Sequence, residues 1–278
     1  MINVAIAGVS GQMGLTLVKL FTEAEDTNVV DGFEGPGHPA LGQDAGVLAG
    51  VGEIGVPVEE ASDYTVGRLY EVGREPHILV DFSIPQMTVP FAEVAANEGT
   101  GLVIGTTGQS AGDLARLEEI GTQIPFIRSP NMSVGVNIAF KLIDMATRAM
   151  GEESDIEIYE MHHKLKIDSP SGTAVRIGEI VAEARGDDLN EVALYGREGN
   201  TGRRIPGSIG FHSARGGDVV GEHTVTFAGL GERIEITHRA QSRVNFASGA
   251  VRAARFIYSK LRNGYVGSYD MDQVLGLD

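Results

Sequence analysis

The chain opens on a short apolar run, Ile2-Asn3-Val4-Ala5-Ile6-Ala7, that breaks directly into Gly8-Val9-Ser10-Gly11-Gln12-Met13-Gly14 and then into helical periodicity. A strand, a turn of small residues and a helix in that order form the first half of a βαβ unit, which commits this part of the chain to a parallel sheet with crossover helices. Small residues let a ligand approach the backbone, and the open amides of the helix start favour an anion such as a pyrophosphate. The spacing is GxxGxxG rather than GxGxxG, so the turn alone is equally what a plain glycine-rich strand-to-helix connection would look like. Glu34, twenty residues beyond Gly14 at the end of the next apolar run, adds a carboxylate placed to accept from adenosine ribose hydroxyls.

The pattern continues with β-branched apolar runs predicting strands over 3–7, 29–33, 78–82, 102–104 and 124–127, and helical periodicity over 13–22, 87–97 and 111–120. Glycine and proline crowd residues 35–52, which read as a loop able to lie over the adenosine ribose. After Asn131 the text changes to a long apolar helix over 134–150, a strand over 155–161 and a helix from Gly172. Antiparallel strands joined by glycine turns follow over 208–211, 219–227 and 233–238. Helical periodicity returns over 246–261, and the tail over 265–277 holds too few apolar residues to fold alone, so it is expected to pack on the first domain. The expected architecture is α/β: a Rossmann-like parallel-sheet dinucleotide domain (1–130 with 245–278) and a mixed-sheet α+β substrate and oligomerisation domain (131–244).

Composition removes several classes of chemistry. There is no cysteine, which excludes disulfide frameworks, thiolate metal sites and a cysteine nucleophile of the kind that forms thiohemiacetals. With 22 basic against 38 acidic residues the formal net charge is -16, and a nucleic-acid backbone would be repelled. No basic leader with an apolar stretch opens the chain and no run approaches membrane-spanning length, so the reading is a soluble cytoplasmic protein with no membrane partner. Only five basic residues are lysines (Lys19, Lys141, Lys164, Lys166, Lys260); an acidic, lysine-poor surface suits a salt-loving source, in which screening suppresses self-repulsion. Anionic substrates then depend on a locally basic pocket.

Such a pocket is written in Glu160-Met161-His162-His163-Lys164-Leu165-Lys166-Ile167-Asp168-Ser169-Pro170-Ser171-Gly172-Thr173-Ala174, where two histidines and two lysines precede a Ser-Gly-Thr helix start. No further ligand spacing completes a metal set, so a metal is not expected and acid/base work is. A histidine titrating near neutrality can deliver a proton during a reduction, and a lysine ammonium can pair a carboxylate or share that donation. Gly172 and Thr173, at the helix start, can receive a substrate carboxylate, a role compatible with simple capping by Ser171 or Thr173. Two more loops end strands on the carboxyl edge where open α/β sheets bind ligands: Gly105-Thr106-Thr107-Gly108 and Ser129-Pro130-Asn131-Met132.

Taken with those loops, the string HHKLKIDSPSGTA resembles the signature of the dihydrodipicolinate reductases. Arg197-Glu198-Gly199, residues 207–211, Gly217-Asp218-Val219-Val220-Gly221-Glu222-His223-Thr224, residues 232–240 and Ser133-Val134-Gly135-Val136-Asn137 resemble the same family, so the similarity covers nearly the whole chain. The resemblance implies hydride transfer from a nicotinamide to a cyclic imine dicarboxylate derived from 4-hydroxy-tetrahydrodipicolinate, giving tetrahydrodipicolinate in the diaminopimelate route to lysine. It implies His162 as proton donor, Lys166 as second donor or electrostatic partner, and His163, Gly172 and Thr173 as substrate-carboxylate binders. Gly8, Val9, Ser10, Gly11, Gln12, Met13, Glu34, Gly105, Thr106, Thr107, Ser129, Pro130, Asn131 and Met132 would contact the cofactor. It further implies a homotetramer assembled through the second-domain sheets, and domain closure about hinges near Asn131 and Val244.

The chain departs from the family where alanine and phenylalanine are common, at Pro130 and Met132, and at Gly35, where arginine is common. A carboxylate at Glu34 with no arginine after it disfavours a 2′-phosphate, so NADH is expected to be preferred; NADPH stays usable if His38 or a distant arginine compensates. Two other readings share the first half. A sugar or inositol dehydrogenase with a lysine donor need not carry the His162-His163 pair, and a non-catalytic redox-sensing dinucleotide binder would bind cofactor without turnover.

Overall fold

A computed structural model of the chain describes residues 1–61 and 77–277. The chain divides into two compact units, Met1–Val134 with Val244–Asp278, and Gly135–Arg243. Among the described residues twelve strands are defined in chain order: β1 Ile2–Ala7, β2 Thr27–Glu34, β3 Val58–Glu60, β4 Ile78–Asp81, β5 Gly101–Ile104, β6 Pro125–Arg128, β7 Asp155–His162, β8 Ala193–Tyr195, β9 Ile209–Arg215, β10 Gly221–Ala228, β11 Arg233–Ala240 and β12 Gly267–Tyr269. Among the described residues, no helix is long and apolar enough to cross a membrane.

In the first unit seven strands run in the order β12-β6-β5-β4-β1-β2-β3, and every pairing is parallel. The central strands are buried on both faces, which is why they read as unbroken apolar runs. Along β1, Val4 and Ile6 pack with Leu17, Phe21 and Ala250 on one side, while Ala5 and Ala7 pack with Phe91, Ala92 and Leu117 on the other. The helices Gln12–Glu23 and Val244–Arg262 therefore cover one face, and Pro85–Glu98 and Ala111–Ile120 cover the other. The C-terminal tail adds β12 to the sheet edge beside β6 and inserts Met271 and Val274 into the core, as expected for a tail with too few apolar residues of its own. Residues 35–52 are not wholly loop: Asp44 caps a short helix, Ala45–Ala49, by accepting from the Gly46 and Val47 amides. Its carboxylate also takes the amides of Ile54 and Val56, so one side chain organises what glycine content had suggested was unstructured.

In the second unit a mixed five-stranded sheet runs β11-β10-β7-β9-β8. The strand at β9 was expected to lie in an antiparallel series; it pairs parallel with β7 and β8, whereas β10 is antiparallel to both β7 and β11. The reason is that β9 is preceded by a long connection from helix Gly172–Arg185, which allows a crossover, whereas β10 and β11 are joined by a tight turn. Strict alternation marks one buried face. On β10, Gly221, His223, Val225 and Phe227 point inward, and on β7 so do Ile156, Ile158, Glu160 and His162. The helices Val134–Met150 and Gly172–Arg185 supply Ile143, Ile177 and Val181 to cover the apolar part of that face.

Candidate active site

The glycine turn after β1 folds as its sequence requires. Gly8 has φ of +76°, and a Cβ there would strike the Phe82 carbonyl; one at Gly14 would fall on the Gly8 and Val9 carbonyl oxygens. The Gly8 and Val9 amides are not open to a ligand, because both donate to the Phe33 carbonyl at 2.9 and 3.2 Å. Val9 itself is a core side chain. What the turn leaves open lies one step further on: Gln12, Met13 and Gly14 precede the first helical bond, from the Leu15 amide to Gly11 oxygen, and Gly11 gives the helix no side-chain cap. This is a helix start with amides available to an anion.

Beside it, Glu34 at the end of β2 takes both the Ser10 amide (2.8 Å) and the Ser10 hydroxyl (2.7 Å) on Oε1. Gly8, Gly11, Glu34 and His38 line a cavity of about 360 Å³ whose apolar walls are Phe33, Phe82, Ile84, Met87 and Phe91. Its size and its flat aromatic walls fit a nucleoside, with the Glu34 carboxylate at the rim for hydroxyls. Sequence reasoning had not picked out Phe82 or Met87; their signal was only that they follow a strand on the carboxyl edge.

The other two loops present backbone more than side chains. Thr106 turns its hydroxyl inward to Asp81 Oδ1 at 2.9 Å, and Met132 is buried in the core with its carbonyl against Gly249. Ser129 donates to the Asn131 carbonyl at 2.9 Å, and the Asn131 side chain accepts the Ser133 amide at 3.0 Å. Thr107 and Pro130 are exposed, and Gly105 lies against Phe82. Asp81, fully buried at the end of β4, ties the 105–108 loop to the segment after its own strand: it also accepts the Ser83 amide (2.9 Å) and the Thr88 hydroxyl (2.7 Å). This hub was missed in the sequence, where an aspartate ending a strand carries no distinctive pattern.

In the second unit the inward face of β7 changes from apolar to titratable within two residues. His162 Nδ1 lies 2.5 Å from Glu160 Oε2, and Glu160 receives Arg215 on both oxygens, each at 2.9 Å. His223, opposite Glu160 on β10, meets the His162 ring edge-on at 5.1 Å and places Nε2 at 2.9 Å from the Ser171 hydroxyl. Ser171 caps the helix Gly172–Arg185 by accepting the Ala174 amide, and Thr173 shares a narrow crevice with Ile177, His223 and His238. Lys166 Nζ is paired with Asp168 at 2.8 Å, and its amide donates to the His163 carbonyl. His163 keeps a buried Nδ1 with no hydrogen-bond partner among the described residues. Thus His162, Ser171 and the Gly172–Thr173 helix start converge, with Lys166 on the adjoining loop. Arg215 and His223, which the sequence had not marked as site residues, complete the cluster.

Burial pushes the His162 imidazole below its ordinary value, although Glu160 pulls the other way; Lys166 and Arg215 add to the lowering. Glu160 is lowered despite a large opposing burial effect, through Arg215, Ser213 and His162. Burial, aided by His162, holds His223 down to about 3. At neutral pH the resting centre is therefore two neutral imidazoles and an ionised Glu160 under Arg215. With Nδ1–H donated to a carboxylate, His162 has Nε2 as its working nitrogen. Gly221 leaves room for it, since a Cβ there would stand 2.9 Å from that atom.

A parallel sheet with an open helix start in one unit, and a carboxylate-backed histidine with a lysine in the other, define the class as an oxidoreductase built on a Rossmann-like domain. The family model described as dihydrodipicolinate reductase, N-terminus, matches residues 2–132, and the model for its C-terminus matches residues 135–275. The chain belongs to the dihydrodipicolinate reductase family. It is 47% identical over 277 residues to the 4-hydroxy-tetrahydrodipicolinate reductase of Citrifermentans bemidjiense, covering 100% of both chains. It is 49% identical to that of Methylococcus capsulatus, covering 99% of this chain and 98% of the relative. Among solved structures it is similar to a dipicolinate-bound dihydrodipicolinate reductase from Paenisporosarcina sp. TG-14, with a TM-score of 0.74, 23% identity and 97% of each chain covered. Full-length agreement with these relatives and with both family models makes this chain a reductase of that family.

Proposed function

We propose that the Met1–Val134 unit with its C-terminal segment holds a reduced nicotinamide dinucleotide, and that the Gly135–Arg243 unit holds and protonates a cyclic imine dicarboxylate. The amides of Gln12, Met13 and Gly14 would take the pyrophosphate, Glu34 the adenosine ribose, and the backbone of the 105–108 and 129–132 loops the nicotinamide end. When bound, the nicotinamide supplies a hydride. His162 delivers a proton from Nε2 to the electron-rich conjugated system that hydride addition leaves, at an atom other than the one that took the hydride, with Lys166 as second donor or charge partner, while His163 and the Gly172–Thr173 amides hold a carboxylate. The observation that carries this reading is the pairing of His162 with Glu160 on the same face as the Ser171-capped helix start.

The preferred cofactor is NADH. Glu34 stands at the cavity rim, and among the described residues lining that cavity the basic side chain is His38, with no lysine or arginine to pair a 2′-phosphate. We further propose a homotetramer assembled through the outward face of the five-stranded sheet, where Tyr159 is 46% exposed and a cavity of about 250 Å³ lies between Tyr159, Met161, His212 and Thr224. Light scattering at assay concentration tests that assembly.

The test of function is turnover of freshly generated 4-hydroxy-tetrahydrodipicolinate with NADH and with NADPH, across potassium chloride concentrations. Substrate-dependent NADH oxidation with a higher kcat/KM than NADPH is expected. Absence of substrate-dependent oxidation would overturn the reaction, and a severalfold advantage for NADPH would overturn the cofactor preference.

A further inference from the structure

Ser10 of the glycine turn and Glu34 at the end of β2 are joined through a single carboxylate oxygen. Both hydrogen-bond donors of Ser10, amide and hydroxyl, converge on the same oxygen, Oε1, at 2.8 and 2.7 Å. Each end of this pair is itself fixed. The two residues before Ser10 donate their amides to the Phe33 carbonyl, and the Glu34 carbonyl accepts the Ala61 amide at 2.7 Å. The turn is thus tied to the last two residues of β2 by four hydrogen bonds, two to Phe33 backbone and two to one Glu34 oxygen.

A carboxylate offers about four lone-pair sites. With Oε1 taken by two donors, Oε2 is the oxygen left to accept hydroxyl hydrogens at the cavity that Glu34 lines with Gly8, Gly11, Gly35, Pro36 and His38. An untethered glutamate has rotamer freedom and could swing away from a 2′-phosphate. A tethered one keeps its negative charge where that phosphate would sit.

We propose that Ser10 is a specificity-determining positioning residue, which acts through Glu34 by pinning Oε1 so that Oε2 faces the ribose hydroxyls and the carboxylate cannot withdraw from a 2′-phosphate. The inference rests on the reading of Glu34 as the ribose acceptor. It assigns Ser10 a role through Glu34 rather than on the pyrophosphate, toward which its amide is unavailable.

Steady-state kinetics of S10A, S10T, E34A and the S10A/E34A double variant with NADH and NADPH test it. S10A removes the hydroxyl and keeps the amide, so KM for NADH should rise about three- to tenfold with the change falling on KM rather than kcat, and the NADH:NADPH ratio of kcat/KM should fall by a similar factor. S10T, which keeps a hydroxyl, should retain the wild-type ratio. The decisive readout is the cycle: in the E34A background S10A should change KM for NADH by less than twofold. Equal weakening of both cofactors by S10A, or full multiplication of the two single effects, would overturn the role assigned to Ser10. E34A with an unchanged KM for NADH would instead sink the ribose reading of Glu34, and the inference with it.

Discussion

Glu160 holds His162 and Arg215 at once: one carboxylate oxygen is 2.5 Å from the imidazole Nδ1, and the two guanidinium nitrogens reach the pair of oxygens at 2.9 Å. Arg215 keeps Glu160 ionised, and an ionised acceptor at Nδ1 fixes the tautomer and the ring plane of His162. Glu160→Gln should therefore lower kcat by about ten- to a hundredfold, within the range for a general acid left in the wrong protonation state. KM for NADH should change little, since the residues proposed to hold the cofactor belong to the other unit. Thermal unfolding of the variant separates this from misfolding, because the exchange also leaves Arg215 without its carboxylate.

A neutral resting His162 must gain its proton when substrate arrives. Burial holds its pKa below the usual histidine value, and a dicarboxylate bound beside it would raise it again. Binding of dipicolinate at pH 7 should take up close to one proton per site, measured by calorimetry in buffers of different ionisation enthalpy. In His162→Gln the uptake should vanish.

Acid sensitivity should have a specific origin at His223. The unfolded chain protonates this residue near 6.5, whereas the folded chain does so only at about 3, because it is buried. Between those values the folded state binds fewer protons, so its contribution to stability is fully present above pH 6.5 and is lost progressively as pH falls toward 3. Urea unfolding at pH 7.5, 6 and 5 should show stability declining with acid, and His223→Gln should flatten the decline.

Asp81 is fully buried and accepts from Ser83, Thr88 and Thr106. Asp81→Ala strands these donors and should destabilise the protein by about 3 kcal/mol while raising KM for NADH, because the loop at Thr106 is released. Urea unfolding and cofactor kinetics on the same preparation check both effects.

Much of this was legible in the chain. Periodicity gave the parallel sheet because strands buried on both faces, such as Val4 to Ala7, read as apolar runs, whereas residues 155–161 alternate less cleanly, and the structure shows that Glu160 and His162 share the buried face with Ile156 and Ile158. Three-residue edge strands such as Val58–Glu60 and Gly267–Tyr269 are too short to show a period, and their pairing is set by the sheet they join. Arg215 and His223 were illegible as site residues, since only the register of β9 and β10 against β7 brings them to Glu160. In the glycine turn the motif marked the helix start but not which of its amides stay open, because the Gly8 and Val9 amides turn back to Phe33.

The proposed division of labour puts proton delivery at His162 and cofactor binding in the other unit. Its most direct test is His162→Gln, measured for kcat by coupled turnover and for NADH affinity by fluorescence titration on the same sample. A fall in kcat of at least about a hundredfold is expected, with an NADH Kd within twofold of the wild type. An unchanged kcat, or a loss of activity matched by an equal loss of NADH affinity, would contradict it.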